Sequence, residues 1–190
     1  YAAELSMDYD CLVRHLLQKY GKANGDYFLT ETCASKNKKI TRTSEGLYCH
    51  HIDEDKAIML STDKFAIKNP FEYQKADRLV YCNILEHLIL HIKIVEAPKG
   101  ANNGDIYGIG GAVNFIVRQV NDYYNGYEFK QQYMVTIMNF IKDNFDDYIK
   151  ILRYLWSIIE KDVLLSSMIE KEHLAVGWDG NIIYKVYNLL

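Results

Sequence analysis

Apolar residues recur every three to four positions in three parts of the chain, and this spacing predicts helices. The first helix is predicted over residues 4 to about 20, where Gly21 is a plausible stop, and the second over residues 83–96, where Asn83 is a good N-cap. The third part, residues 112–170, carries several such stripes. Two short β-prone runs, "GLYCHHI" and "RLVYC", lie between the first two helices. This order predicts an α+β fold with an N-terminal helix and a mainly helical C-terminal extension.

The composition of the chain changes at about Pro98. A glycine-rich loop, "KGANNGDIYGIGG", follows, and beyond it the apolar stripes are typical of packing faces. We therefore predict two parts, residues 1–97 with both strands and residues 98–190 as a helical extension packed on them. The tail "GNIIYKVYNLL" has a strand pattern. The glycines of "GIGGAVNF" lack the GxGxxG context, so no nucleotide site is expected there.

Composition adds few restrictions on function. A chain of 190 residues with 49% hydrophobic content can bury one sizeable core. The net charge of −3 gives no overall basic signature, so contact with nucleic acid requires a local patch. The four cysteines form no CxxC pair, which suits a reducing compartment, and we expect a cytoplasmic protein. The chain opens without a signal segment, and its apolar runs are short for a bilayer, so no membrane association is expected.

Four of the six histidines fall in two local pairs, His50 with His51 and His87 with His91. Histidines four apart on a helix share one face, so His87 and His91 can reach one metal ion. Their apolar neighbours indicate a buried helix, where two imidazoles cost free energy unless they are paired or bound to metal. For an isolated HxxxH spacing, two separately satisfied core histidines would be the favoured interpretation.

The first pair indicates two different roles. Adjacent side chains on a strand point to opposite faces, so His50 and His51 cannot both bind one ion in regular geometry. One of them can be a ligand while the other faces elsewhere. A metal bound by three imidazoles keeps open positions for water and substrate, as hydrolysis at a metal site requires. The remaining histidine suits a general base.

"CHHID" followed by "RLVYCNILEHLILH" resembles the HNH nucleases, the ββα-metal or His-Me finger superfamily. The closing HxxxH is most similar to the colicin-type DNase branch, and the resemblance covers residues 46–95. It implies a ββα-metal core in which His50, His87 and His91 bind a divalent metal and His51 is the base. The implied activity is metal-dependent hydrolysis of phosphodiester bonds, with DNA favoured over RNA. A restriction, phage, mobile-element or toxin nuclease would fit, and a toxin would be delivered to another cell.

The sequence departs from the family at Arg78, which stands where the family keeps an asparagine that orients the base. Asp77 could pin the loop instead, or Arg78 could contact a phosphate, and we place Arg78 in the catalytic set. Because of this departure, a second interpretation stays open. In it, the chain is a non-cleaving module whose fold is held together by the metal and which binds nucleic acid or a protein. Three imidazoles favour Zn²⁺, Ni²⁺ or Mn²⁺ by ligand softness, while related nucleases also work with Mg²⁺.

One concentrated basic stretch precedes the first strand. We predict that its cations grip nucleic-acid phosphates, and a solvated polar loop is the alternative. The four residues are Lys36, Lys38, Lys39 and Arg42. The helical C-terminal half offers a surface for a homodimer.

For the acidic residues and cysteines near the histidines, we favour roles other than metal binding. Asp53, Glu54 and Asp55 are expected to form a solvated turn, with a second metal position as the alternative. Cys49 and Cys82 are expected to be small buried hydrophobes, with a second zinc site as the alternative.

Overall fold

Two strands and the helix that follows them hold both histidine pairs. In the computed structural model, which describes residues 1–96, 106–178 and 186–190, strands β1 (Tyr48–His51) and β2 (Leu79–Cys82) pair antiparallel. His50 lies opposite Val80 in this hairpin. Helix α4 (Ile84–Glu96) begins two residues after β2 and packs against β1, β2 and the N-terminal helices.

The other helices precede and follow this unit in the chain. Three precede α4 in the chain: α1 (Ala2–Leu5), α2 (Tyr9–Tyr20) and α3 (Asp63–Ala66). A π-helix, Gly111–Val117, is followed in the described residues by α5 (Arg118–Tyr124), α6 (Gln132–Asn139), α7 (Phe145–Ile159), α8 (Val163–Met168) and α9 (Lys171–Leu174). Residues 186–189 are also helical. Helices α1, α2 and α7 and the π-helix pack against α4. The α+β fold with an N-terminal helix and a helical C-terminal half is therefore confirmed.

Helix α4 starts where the sequence predicts. The Asn83 side-chain oxygen accepts hydrogen bonds from the backbone amides of Leu85 and Glu86, and the Glu86 carboxylate accepts from the Asn83 amide. This reciprocal pair is a capping box, which satisfies amides that have no partner within the helix. Glu86 is fully buried and also accepts from Lys19 and Tyr20, so the cap of α4 is tied to α2.

The hairpin has two apolar faces. Val80 and Cys82 pack with α2 and α4 in the main core, whereas Leu79 and Tyr81 pack with Ile40 and neighbouring loop residues in a smaller core. Since opposed residues share a face, His50 lies on the helix side and His51 on the loop side, as the alternation predicts.

The same alternation separates the two cysteines. Cys82 is opposite Tyr48 on the helix side, and Cys49 is opposite Tyr81 on the loop side. The two thiols therefore cannot bind one metal ion together. Cys82 is fully buried in the main core, in keeping with the expectation of a small buried hydrophobe.

Several predicted bounds need correction. The helix predicted over residues 4–20 is two helices, because Asp8 caps a new start by accepting from the amide of Cys11; the chain then turns at Gly21 with φ +79°. In the predicted terminal strand, residues 186–189 are helical, and residues 180–185 lie outside the described part. One core cluster contains apolar side chains from α2 through Val186. The division at residue 97 stays a prediction.

Within residues 1–96, 106–178 and 186–190, no helix is both long enough and apolar enough to cross a bilayer.

Candidate metal centre

Four potential ligand side chains converge between β1 and α4. Helix α4 presents His87 and His91 from successive turns, and β1 presents His50 from its helix side. A 3₁₀ turn, Ile52–Asp55, follows β1 and brings Glu54 back toward His50. One donor atom from each of the four residues lies within 4.8 Å of the others, so the cluster could hold a metal ion.

The spacing of the donor atoms fits a single ion. His91 Nε2 lies 3.2 Å from His87 Nε2 and 3.4 Å from the Glu54 carboxyl, which is 3.5 Å from His50 Nδ1. Four tetrahedral ligands about 2.0–2.1 Å from a Zn²⁺ ion have neighbouring donor atoms ~3.3 Å apart. These three distances therefore match the spacing of neighbouring donor atoms in a tetrahedral ligand set, and the remaining pairs lie within 4.8 Å.

Burial leaves the histidines of the cluster in the neutral form that can bind a metal ion. It lowers the pKa of His50 and His87 well below 6.5 and that of His91 to about 4, so their imidazoles are neutral at neutral pH. Burial raises the pKa of the Glu54 carboxyl to about 8. A divalent cation would reverse this shift, because positive charge favours the carboxylate. The buried Nδ1 of His50 makes no hydrogen bond with any described residue and is aimed at Glu54.

Tyr9 on α2 determines which nitrogen of His50 faces the cluster. Its hydroxyl donates to the carbonyl of Ile52 at 2.8 Å, and the same oxygen lies 3.0 Å from His50 Nε2. Because a carbonyl can only accept, the single hydroxyl proton goes to Ile52, and His50 must donate its Nε2 proton to Tyr9. The lone pair of His50 is then on Nδ1, beside Glu54. Such outer-shell hydrogen bonds orient metal ligands.

The glycine segment after residue 107 packs against His91. A Cβ atom on Gly111 would lie 2.3 Å from Cε1 of the His91 ring, and one on Gly108, with φ +85°, would lie 2.6 Å from the His91 carbonyl oxygen. Neither glycine position has room for a side chain beside His91. The "GIGG" sequence therefore allows the backbone to pack closely against His91. A π-helix starts at Gly111, and π-helical turns are frequent at functional sites.

His51 is held apart from the cluster, on the loop side of the hairpin. The buried Gln74 side chain donates its amide to the carbonyl of Leu60, so its oxygen, 2.9 Å away, accepts the Nε2 proton of His51. The lone pair of His51 is therefore on Nδ1. The Tyr27 ring lies 4.4 Å from the His51 ring, and burial lowers the pKa of His51 to about 4. Its assignment as a base stays a prediction.

Arg78 ties the start of β2 to the turn after β1. Its guanidinium donates to both carboxylate oxygens of Asp53, one of them at 2.6 Å, and Lys56 donates to the same carboxylate at 2.7 Å. The guanidinium holds the pKa of Asp53 below its usual range against the effect of burial. Arg78 thus pins the loop itself, the task that the sequence suggests for Asp77. A catalytic role for Arg78 stays a prediction.

The expectation of a solvated acidic turn is wrong. Asp53 is fully buried under Arg78, Asp55 is 6% exposed, and Glu54 joins the histidine cluster. The overlooked signal is the spacing of four between His50 and Glu54, which the 3₁₀ turn converts into a contact.

The predicted nucleic-acid stretch lies on the loop side of the hairpin. Lys36 lies over the ring of Tyr27, which in turn contacts His51. Lys38 and Lys39 are exposed on a 3₁₀ turn. Arg42 pairs with Glu45 and donates to a backbone carbonyl, so its charge is already engaged. Binding of nucleic acid by these four residues stays a prediction.

The chain matches no protein-family model, and comparisons with curated proteins and with solved structures found no match.

Substitution of Tyr9 by Phe tests the orientation of His50. Phe keeps the buried ring but removes the acceptor for the Nε2 proton, and we expect metal affinity to fall about tenfold. Competition with a chromophoric chelator measures this. Tyr20→Phe is the matched control, since Tyr20 is also on α2 but donates to Glu86. Equal affinity of Tyr9→Phe and the parent protein would refute the role of the hydroxyl.

Substitution of Gly111 by Ala tests the packing on His91. The added methyl group must displace the imidazole, so we expect metal affinity to fall at least tenfold and the free energy of unfolding by about 1–3 kcal/mol. Gly110→Ala is the control, because a Cβ there meets only Asn114, at 3.9 Å. The assignment fails if both variants bind metal like the parent, as measured by the same competition.

The buried histidines predict acid sensitivity of the metal-free protein. Their folded-state pKa values lie below 6.5, so the unfolded chain binds more protons at acidic pH, and stability is lost as pH falls below about 6.5. Glu54 opposes this with one group, since its raised pKa makes the folded state bind a proton up to about pH 8. Urea unfolding in a chelator should show lower stability at pH 5 than at pH 7, and a smaller difference for His51→Gln. A flat profile would contradict the burial of neutral imidazoles.

Proposed function

We propose that the chain is a metal-dependent endonuclease that hydrolyses phosphodiester bonds in nucleic acid, with DNA favoured over RNA. The observation that carries this proposal is the convergence of His50, Glu54, His87 and His91 on a hairpin followed by a helix. The order of strand, strand and helix and the two histidine pairs resemble those of the HNH nucleases, apart from Arg78, and this resemblance supports the assignment. A homodimer through residues 98–190 belongs to the same proposal.

The cluster would hold the metal through His50 Nδ1, the Nε2 atoms of His87 and His91, and the Glu54 carboxylate. When bound, a divalent ion supplies Lewis-acid stabilisation of charge at phosphorus and at the leaving 3′ oxygen. Three imidazoles and one carboxylate favour Zn²⁺, Ni²⁺ or Mn²⁺ over Mg²⁺. Tyr9, which accepts from His50, and Gly111, which makes room for His91, keep these ligands in place.

His51 is the proposed base. Gln74 engages its Nε2 proton, so the atom that would take a proton from water is Nδ1. Burial keeps the imidazole neutral and therefore able to accept. The negative charge of a nearby phosphate would raise the pKa of His51 from about 4 toward a value better suited to general-base catalysis.

The second candidate is a non-cleaving module that binds nucleic acid or a protein. Two observations favour it. Glu54 provides a fourth protein ligand, and four protein ligands with no open position are typical of structural zinc sites. His51 is buried on the other side of the hairpin from the cluster. In this function the metal would have only a structural role, holding β1 and α4 together.

Plasmid nicking separates the two candidates. With Zn²⁺, Ni²⁺, Mn²⁺ or Mg²⁺ added, we expect the parent protein to convert supercoiled plasmid to the nicked form. His51→Ala should retain metal and lose at least a hundredfold in cutting rate, because it lacks only the base. His87→Ala should lose metal affinity, and His173→Ala, in helix α9 away from the cluster, should behave as the parent.

Each outcome has a distinct meaning. Equal nicking by His51→Ala and the parent would exclude His51 as the base. A parent protein that binds metal through the cluster but nicks no plasmid would favour the binding module. Unchanged metal affinity of His87→Ala, measured by calorimetry, would refute the ligand assignment on which both candidates depend.

A further inference from the structure

A cleft of about 320 Å³ lies beside the segments that hold the metal cluster. Its walls come from the exit of the 3₁₀ turn, from α3 with the residues after it, and from the start of the glycine segment. The lining includes Lys56, Phe65, Lys68, Asn69, Ile106 and Tyr107. Its volume is within the range of small-ligand sites, which start at about 300 Å³.

Both ends of the cleft are joined to the cluster through the chain. Lys56 follows Glu54 by two residues and donates to Asp53, the carboxylate that anchors the turn. Tyr107 precedes Gly108, whose backbone lies against the carbonyl of His91. A ligand in the cleft therefore lies between the two segments that position Glu54 and His91.

Two lysines, Lys56 and Lys68, line the cleft. Lys56 is already engaged, since it donates to the Asp53 carboxylate, which it shares with Arg78. Lys68 is exposed, lies 6.0 Å over the ring of Phe65, and makes no ion pair with any described residue. The positive charge of Lys68 would attract an anionic group of a ligand.

Apart from Asn69, the rest of the lining is apolar and aromatic. Phe65 and Tyr107 are half-buried and present ring surface to the cleft beside Lys68. Aromatic rings beside cations are the combination with which proteins bind unpaired nucleotides, the base on a ring and the phosphate on a cation.

We propose that this cleft binds one unpaired nucleotide of a nucleic-acid strand, with its phosphate on Lys68 and its base against Phe65 and Tyr107. The inference rests on the proposed function and adds a substrate class: a single-stranded or locally unpaired strand, since a base inside a duplex cannot reach the rings. It also assigns a phosphate contact in the cleft to Lys68. The predicted basic stretch, by contrast, packs on the loop side of the hairpin with Tyr27 and Tyr81.

The test compares two lysines of the same segment. Lys68 lines the cleft, whereas Lys64 lies in α3 outside its lining, and both side chains are exposed. Fluorescence anisotropy with a labelled oligothymidylate carrying phosphorothioate linkages, which resist hydrolysis, gives the affinity of the full chain at several salt concentrations. For Lys68→Gln we expect roughly fivefold weaker binding and a slope of log K against log salt smaller by about 0.7. Lys64→Gln should match the parent.

A third variant separates the base from the phosphate. Phe65→Leu removes ring surface without removing charge, so we expect roughly tenfold weaker binding with the salt slope unchanged. A blunt duplex of the same length should bind more weakly than the single strand. Circular dichroism and urea unfolding of each variant show that it is folded.

The outcomes distinguish this inference from the proposed function. If the parent nicks plasmid and binds the strand but Lys68→Gln binds as tightly as Lys64→Gln does, the cleft is not the site and the endonuclease stands. If Lys68→Gln loses binding while the parent nicks no plasmid, the cleft stands and the endonuclease fails. A parent that does not bind the oligonucleotide overturns the inference.

Discussion

The site depends on one constraint: three imidazoles and one carboxyl group lie close together at the junction of β1 and α4, where His50 and His91 are buried and Glu54 and His87 are partly buried. His50, His87, His91 and Glu54 lie within a few ångströms of one another in a place where burial penalises every charged form. Uncharged imidazoles facing one another satisfy few hydrogen bonds, which is costly in a protein interior. A divalent cation offsets this cost, because it takes one lone pair from each histidine and restores the charge of the carboxylate.

The structure around the cluster is arranged to hold these four side chains. The capping box at Asn83 sets the start of α4 and therefore the turns on which His87 and His91 lie. Tyr9 directs His50, and the pairing of Arg78 with Asp53 fixes the turn that carries Glu54. These contacts join α2, β1, β2 and α4, so metal binding and the packing of the hairpin are expected to be coupled.

Much of this arrangement could be predicted from sequence, because its signals are periodic. The i, i+4 spacing places His87 and His91 on one face, and strand alternation places His50 and His51 on opposite faces. Glu54 lies four residues after His50, but no periodic pattern over so few residues predicts the 3₁₀ turn that brings the two side chains together. Tyr9, Gln74 and Gly111 were missed for a different reason: their contacts join residues far apart in the chain, and only tertiary packing defines them. The terminal strand was predicted from apolar alternation too short to exclude a helix.

The central claim is that one metal ion binds to three imidazoles and the Glu54 carboxylate. Anomalous diffraction at the zinc edge from Zn²⁺-loaded crystals tests it most directly. The account predicts one peak about 2.0–2.2 Å from His50 Nδ1, from the Nε2 atoms of His87 and His91, and from a Glu54 oxygen. A peak coordinated by other residues, or no peak among these four side chains at saturating Zn²⁺, would contradict it.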